Sequence, residues 1–513
     1  MSPSPAARPF PSPDRDGCAR LRDALARASF TDTGVAGALG LDDVRSLSSQ
    51  DLPLLLRATR DATPLHTLVR LFLIGVTVKP DALEEAIAPM TIEECAAAGL
   101  VTPQDGTVSA AVRLLPFRGL VVAYDLPLRM GAPTAADYVM GVGSSTLTLA
   151  NATVRRPSRQ TLDLGTGCGF LAFLAACHST QVLAVDRNPR AVALATFNAQ
   201  LNGLANVACL EGDLFAPVHG REFDLVFSNP PFVISPEARY MYRDSGRGLD
   251  EITQTIVRQV PPVLREGGFC QVLCNWACLR GQEWRERLAV WFQGTGCDAW
   301  AMCSETLDAA AYAAKWIRHT EWDTPDTHAR RFEEWMAYYE RHQVEAVSGG
   351  IITLRRRSGA ANWVRLDDAP KNMVGPVGDH IARAFELHDF LDATRDDALL
   401  LEQRLRVSPD LRLHQSFEPS PEGWQLATSE LRLERALTYT GNTDVFLSAA
   451  IGRCDGERPL REVLGSLAAS LDQDAAGVAP AFLGVVRRLI ERGFLLPASP
   501  SASPAPSESV TPP

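Results

Sequence analysis

Residues 159–170 constrain the fold more than any other stretch of the 513-residue chain. Arg159 to Leu164 is short and partly apolar and closes on Asp163-Leu164, as a buried strand does. Gly165, Gly167 and Gly169 follow at alternate positions, and an apolar helical run, Phe170 to Cys177, comes next. Glycine permits positive φ and lets a ligand approach the backbone closely. Strand, tight turn and helix in that order open a doubly wound parallel sheet, in which ligands lie beyond the carboxyl ends of the strands.

The pattern continues. Gln181 to Val185 reads as a second strand ending at Asp186, where a carboxylate can accept ribose hydroxyls. Asn188-Pro189 opens a helix over 190–202 that Gly203 closes. A third apolar stretch leads to Glu211-Gly212-Asp213-Leu214. Phe223 to Ser228 reads as a fourth strand and runs into Asn229-Pro230-Pro231-Phe232. Two consecutive prolines stiffen the backbone and remove two N–H donors, so nearby carbonyls are free to accept. Asn229 adds a side-chain carbonyl, and Phe232 adds a flat apolar face. Two acceptors can hold the two hydrogens of a planar NH2 group, which suits alignment of a weakly nucleophilic nitrogen without a strong base. Taken singly, Asp186 or Asp213 also reads as a turn or cap residue, and the proline pair as a stiff loop.

A dinucleotide site competes for the glycine run. Its fingerprint places a glycine three residues after the second one, and counting from Gly167 that position is Phe170. The tighter acid-x-Gly-x-Gly-x-Gly form resembles motif I of class I methyltransferases that use S-adenosyl-L-methionine. With Asn229–Phe232 it is similar to the amino-methyltransferases that carry an Asn-Pro-Pro-aromatic motif: release-factor glutamine, adenine-N6 and ribosomal-RNA guanine-N2 enzymes. Tyr242 to Asp250 is similar to the glycine-rich stretch of the release-factor branch. That favours a protein or peptide amide of the glutamine type over a nucleic-acid base or a small amino or amide metabolite. The resemblance implies S-adenosyl-L-methionine as cofactor. Asp163, Gly165, Thr166, Gly167, Cys168 and Gly169 would hold its methionine end, Asp186 with Arg187 the ribose, and Asp213 with Leu214 the adenine. Asn229, counted with both sets, and Pro230 would orient the acceptor, Pro231 would stiffen the corner, and Phe232 would stack. Two departures stand out. Phe232 replaces the tyrosine usual in the glutamine enzymes, and Gly141 to Leu149 replaces the Arg-Pro-Glu-Thr segment before the first strand. The resemblance covers roughly 133–300. Outside the enzyme class, the rival is a fold kept as a catalytically silent binding scaffold.

The charge balance bears on the acceptor. Net charge is −11, which argues against a protein that wraps nucleic acid through a broad basic face. Eleven cysteines, mostly inside apolar runs, fit reduced thiols in a cytoplasmic setting. Cys270, Cys274 and Cys278 have neither zinc nor cluster spacing, so no metal is expected. No apolar run reaches membrane-spanning length.

The fold class read from these features is α/β: a Rossmann-like class I methyltransferase sheet with an accessory domain on each side. Residues 1–15 read as a disordered N-terminus, and 16–132 as a helical, winged-helix-like domain in which three helices precede a hairpin near Gln104-Asp105-Gly106. Residues 133–360 read as the methyltransferase domain, with a lead-in helix over 134–150. A helical insertion before the last strand could cover the pocket, and its stripe Phe332, Trp335, Met336 and Tyr339 reads as core. Residues 361–498 read as an α+β domain in which His380 and His388 are surface groups, and 499–513 as a disordered tail.

Overall fold

The computed structural model describes residues 10–11, 13–46, 51–126, 135–236, 240–320, 325–359 and 361–498. Most of the proline- and serine-rich N-terminus and all of the tail from 499 lie outside the described residues. The chain divides into two compact units. Of the described residues, one holds those up to Ala150 together with Pro157–Asp367, and the other holds Asn151–Arg156 and 368–498.

Among the described residues the first unit begins with six α-helices: α1 (Arg15–Arg27), α2 (Asp32–Leu39), α3 (Leu52–Ala58), α4 (Pro64–Leu68), α5 (Pro80–Ile87) and α6 (Ile92–Ala97). Asp14 caps α1, and α6 opens with a capping box between Thr91 and Glu94. The apolar run after Pro64 is not one α-helix, because Val69–Ile74 forms a π-helical turn. β1 (Val101–Gln104) and β2 (Thr107–Ala110) make the hairpin around Asp105-Gly106, and β3 (Val112–Phe117) pairs with β4 (Leu120–Asp125). Within the stretch expected to be a disordered N-terminus, Phe10 is buried with its ring 5.5 Å from that of Phe197.

The elements of the main sheet follow: α7 (Ser144–Ala152), β5 (Ser158–Leu164), α8 (Phe170–Ala176), β6 (Ser179–Asp186), α9 (Pro189–Leu201), β7 (Val207–Glu211), β8 (Phe223–Ser228), α10 (Glu251–Gln259), β9 (Leu264–Leu279), α11 (Trp284–Phe292), β10 (Cys297–Asp308), α12 (Ala309–Thr320), α13 (Pro325–Arg341), β11 (Val344–Arg356) and β12 (Val364–Asp368). The lead-in helix starts at Ser144; residues 135–143 form an irregular strap, and 127–134 lie outside the described residues. The eight strands run β12-β10-β11-β9-β8-β5-β6-β7. β5 is parallel to β6 and β8, β6 to β7, and β8 to β9, whereas β11 is antiparallel to both β9 and β10. The architecture is therefore the expected Rossmann-like α/β sheet, with eight strands among the described residues.

The helices of the N-terminal part and the outer face of α9 share one core. Leu21, Leu25, Phe72 and Val122 belong to the same buried cluster as Phe170, Leu194, Phe197 and Leu201. Polar groups tie the same surface. Asn198 accepts the Ala123 N–H and donates to the Ala123 carbonyl, and Asn202 does the same at Val121. Two amides one helical turn apart thus satisfy alternate backbone groups along β4, which would otherwise be buried unpaired.

β5 ends in a local device that shapes the following turn. Asp163 is fully buried, and its Oδ2 accepts from Thr166 Oγ1 at 2.6 Å and from the Ala172 N–H at 3.1 Å. Burial pushes its carboxyl up from 3.8 to about 7; Thr166 opposes the shift and neighbouring Asp186 adds to it.

The second unit contains β13 (Met373–Val374), α14 (Gly378–Ala393), α15 (Asp397–Leu401), β14 (Arg404–Val407), β15 (Leu411–Ser420), β16 (Gly423–Leu433), β17 (Ala436–Leu437), β18 (Thr440–Asn442), α16 (Val445–Gly452), β19 (Asp455–Pro459), α17 (Leu460–Ser470), α18 (Ala475–Glu491) and β20 (Leu495–Pro497). Its core gathers Leu400, Leu405, Leu464, Phe482, Val486 and Leu495. His380 is buried rather than at the surface, because Gly378 to Ala393 turns that side chain inward; a Cβ on Gly378 would lie 1.9 Å from the Thr153 carbonyl. No helix among the described residues is long and apolar enough to cross a membrane.

Two outcomes follow from this packing. Phe197→Ala should lower the stability of the first unit by about 3–5 kcal/mol, read as a lower urea midpoint. The folded chain also holds the Asp163 proton more tightly than the unfolded chain. Its contribution is therefore full below about pH 4 and is lost as pH rises toward 7. Thermal melts of the wild type minus those of Asp163→Asn should fall across that window, and a flat difference would contradict the buried carboxyl.

Candidate functional site

The carboxyl ends of β5, β6, β7 and β8 open onto one cavity of about 660 Å³, within the size range of ligand sites. Parallel pairing of Leu164 with Ser228 brings the ends of β5 and β8 side by side, and Ser228 Oγ donates to the Leu164 carbonyl at 2.7 Å. Gly165, Thr166, Gly167 and Cys168 from the first turn therefore line the same cavity as Asn229, Pro230, Pro231 and Phe232. Asp186, Arg187, Asp213 and Leu214 line it from the ends of β6 and β7.

The three glycines differ in what they do. Gly165 and Gly167 have φ of +76° and +56°, and a Cβ on either would meet nothing within 4 Å. They leave a bare backbone cradle facing open space. Gly169 (φ +90°) does not line the cavity; a Cβ there would lie 2.3 Å from the Phe173 ring, so this glycine allows α8 to start against the loop. Asp163 also lies outside the lining. It sits beneath the loop and holds it through Thr166 and the α8 backbone. These two positions, expected to touch a ligand, instead shape the surface that would.

Asp186 reaches back into the loop. Its Oδ2 accepts the Gly167 N–H at 2.8 Å and its Oδ1 the Asn188 N–H at 2.9 Å. An ionised carboxylate has about four lone-pair sites, so further acceptance remains open. The Asp213 carboxylate stands 3.6 Å from Arg247, another lining residue. Cys168 is buried, its thiol is pushed up to about 11 by burial, and its carbonyl accepts from Asn198, so it serves the loop as a neutral group.

Asn229 carries the most telling geometry. Its Nδ2 points to Ser145 Oγ of α7 at 3.4 Å, while its Oδ1 is buried without a hydrogen-bond partner among the described residues. A buried, unmatched acceptor is costly unless a ligand completes it. The bare cradle on one wall and this acceptor on another fit a donor cofactor and an N–H-bearing acceptor in one cavity.

Several lining residues were not singled out from the sequence as site residues. Tyr138 and Tyr242 meet edge to face at 5.4 Å, and both line the cavity. Asn275, Tyr312, Trp316, Gly349 and Gly350 line its other half. The Gly349-Gly350 pair inside an apolar strand was a visible signal of close approach; Tyr312 and Asn275 sit in patterns that any core helix or strand shares.

Residues 140–282 match the family described as Methyltransferase small domain. Residues 27–111 and 382–497 each match a domain of unknown function, DUF7059 and DUF7782. The release factor glutamine methyltransferase of Xylella fastidiosa is 34% identical over 131 residues, which are 23% of this chain and 47% of that protein. Proteins of the same name from Geobacter sulfurreducens and Escherichia coli are 37% and 32% identical, over 22% of this chain and 43% and 46% of theirs. The chain spans about half the length of the curated relatives it matches. Among solved structures, the YcgJ protein of Bacillus subtilis aligns with 42% of this chain and 99% of its own at 16% identity and a TM-score of 0.29, a likeness too distant to carry an inference. The sheet order, the bare glycine cradle and the matched segment agree: residues 140–282, on a Rossmann-like α/β sheet, match the methyltransferase small-domain family, and that match implies S-adenosyl-L-methionine as donor.

Proposed function

We propose that this chain is an S-adenosyl-L-methionine-dependent N-methyltransferase acting on a planar amide nitrogen of a protein or peptide, glutamine above all. The observation that carries the reading is Asn229 Oδ1, a buried acceptor without a partner among the described residues, at a proline corner that shares its cavity with the glycine cradle. The names of the relatives support the choice of a protein amide, and the net charge of −11 favours it over RNA or DNA.

When bound, S-adenosyl-L-methionine supplies an electrophilic methyl group on a sulfonium. The chain's own residues then have separable roles. Gly165 to Gly167 would hold the methionine end, Asp186 with Arg187 the ribose, and Asp213 with Leu214 the adenine. Ser145 orients the Asn229 amide so that Oδ1 would accept an N–H of the acceptor, and a carbonyl of the proline corner would take the second. Holding both hydrogens aims the nitrogen lone pair and stabilises positive charge as it develops on that nitrogen. On transfer, the donor's S–CH3 bond would break to leave its neutral thioether, and the acceptor nitrogen would lose its proton afterwards, so no strong base is needed. Phe232 gives the amide plane an apolar face.

Within this reading, residues 133–360 perform the chemistry, and 16–132 and 361–498 are accessory domains in a reduced, cytoplasmic protein. The helix-then-hairpin order of α4 to β2 keeps the winged-helix-like reading of the N-terminal part, in a packing or acceptor-binding role.

Calorimetry with S-adenosyl-L-methionine and turnover assays on Asn229→Ala test the proposal together. Donor affinity should hold, while kcat should drop roughly 100-fold or more; loss of neither would indicate a scaffold. With methyl-labelled donor and a cell lysate, label should enter protein. Label in RNA or in small molecules would reassign the acceptor.

A further inference from the structure

The glycine cradle and the proline corner leave one part of the site unexplained: the helices α12 and α13, inserted between β10 and β11. They close on the segment that leaves the corner. The Val233 N–H donates to the Arg243 carbonyl at 3.1 Å. At the next residue, the Ile234 N–H donates to Tyr312 Oη of α12 at 3.3 Å, and the Ile234 carbonyl accepts from Tyr339 Oη of α13 at 2.8 Å. Both backbone groups of one residue, two positions past Phe232, are thus held by hydroxyls from two different inserted helices. The clamp is buried. Tyr312, Trp335 and Tyr339 are buried; the Trp335 ring lies 6.5 Å from Tyr312 and 6.1 Å from Tyr339, and Arg243 lies over it at 5.7 Å.

Tyr312 also belongs to the cavity wall. Its Oη accepts from Asn275 Nδ2 at 2.6 Å, and both residues line the cavity next to Gly349 and Gly350. Side chains are kept off that floor: a Cβ on Gly349 would lie 2.8 Å from Asn275 Oδ1, and one on Gly350 would lie 2.0 Å from the Met302 carbonyl. The inserted helices therefore both brace the corner and bound the space beyond it.

We propose that the α12–α13 insertion sets the pose of the acceptor corner, with Tyr312 and Tyr339 as positioning residues and the Tyr312–Asn275 pair as the wall that selects the acceptor. The inference rests on the N-methyltransferase reading. Two prolines fix the internal geometry of Asn229–Phe232 but not its placement against the sheet. That placement depends on what holds the exit of the corner, and reaction rate is steep in it: a shift of about 1 Å can cost roughly 100-fold.

The test uses the full chain, methyl-labelled S-adenosyl-L-methionine and the acceptor pool that the wild type labels in a lysate. Tyr339→Phe removes a hydroxyl that does not line the cavity. Expected is a kcat roughly 10- to 100-fold lower per folded molecule, with the donor Kd and the acceptor KM unchanged. Should that variant not fold, Tyr312→Phe carries the same expectation for kcat and donor Kd, with a raised acceptor KM in addition. An active wild type beside a variant whose only change is a lower melting temperature overturns the inference alone, as does a donor Kd that weakens in step with kcat. A wild type that labels nothing overturns the methyltransferase reading, and this inference with it.

Discussion

Parallel pairing between β5 and β8 is the contact on which the rest of the first unit depends. Leu164 sits opposite Ser228, and the Ser228 hydroxyl is bonded to the Leu164 carbonyl. Each strand is followed by a turn that cannot continue the sheet, one because of glycines and the other because of prolines. With the two strand ends in register, those turns face one volume. A slip of the register would separate the cradle from Asn229 and leave neither half with a partner.

The glycine turn is held from below rather than from the ligand side. Asp163 ties Thr166 and the start of α8, Asp186 ties Gly167, and the Val185 carbonyl receives the N–H groups of Gly165 and Thr166. A loop pre-formed in this way leaves little ordering for a ligand to impose. The two carboxylates act differently. Asp163 is sealed under the turn, whereas Asp186 stands at the edge of the cavity.

The flanking elements are joined to this frame by specific chemistry as well as by apolar burial. The N-terminal helices complete the core over α9, and Asn198 and Asn202 act as surrogate strand partners for β4. On the opposite side of the sheet order, the inserted helices pack an aromatic cluster around Ile234 and so reach the proline corner through its backbone. The N-terminal helices bear on the cavity at one remove, through α9, whereas α12 also lines it directly through Tyr312 and Trp316.

The order of strand, glycine turn, helix and acidic strand end was legible from local patterns alone, because backbone conformation at Gly165 and Gly167 and rigidity at Pro230-Pro231 are properties of those residues wherever they stand. The same logic placed Asp186, Asp213 and Asn229 at strand ends, and hence at the cavity. Local pattern could not separate a lining residue from a supporting one. Asp163 and Gly169 turned out to support, because whether a carboxylate or a Cβ faces ligand or protein depends on what packs on the other side. It also missed Tyr312 and Tyr339, since a tyrosine on an apolar helical stripe looks the same whether its hydroxyl meets water or one particular carbonyl 105 residues away in sequence. Sequence determined which turns could cradle a ligand; only tertiary packing, by bringing distant hydroxyls and amides to unpaired backbone groups, decided how those turns are held and what surrounds the acceptor.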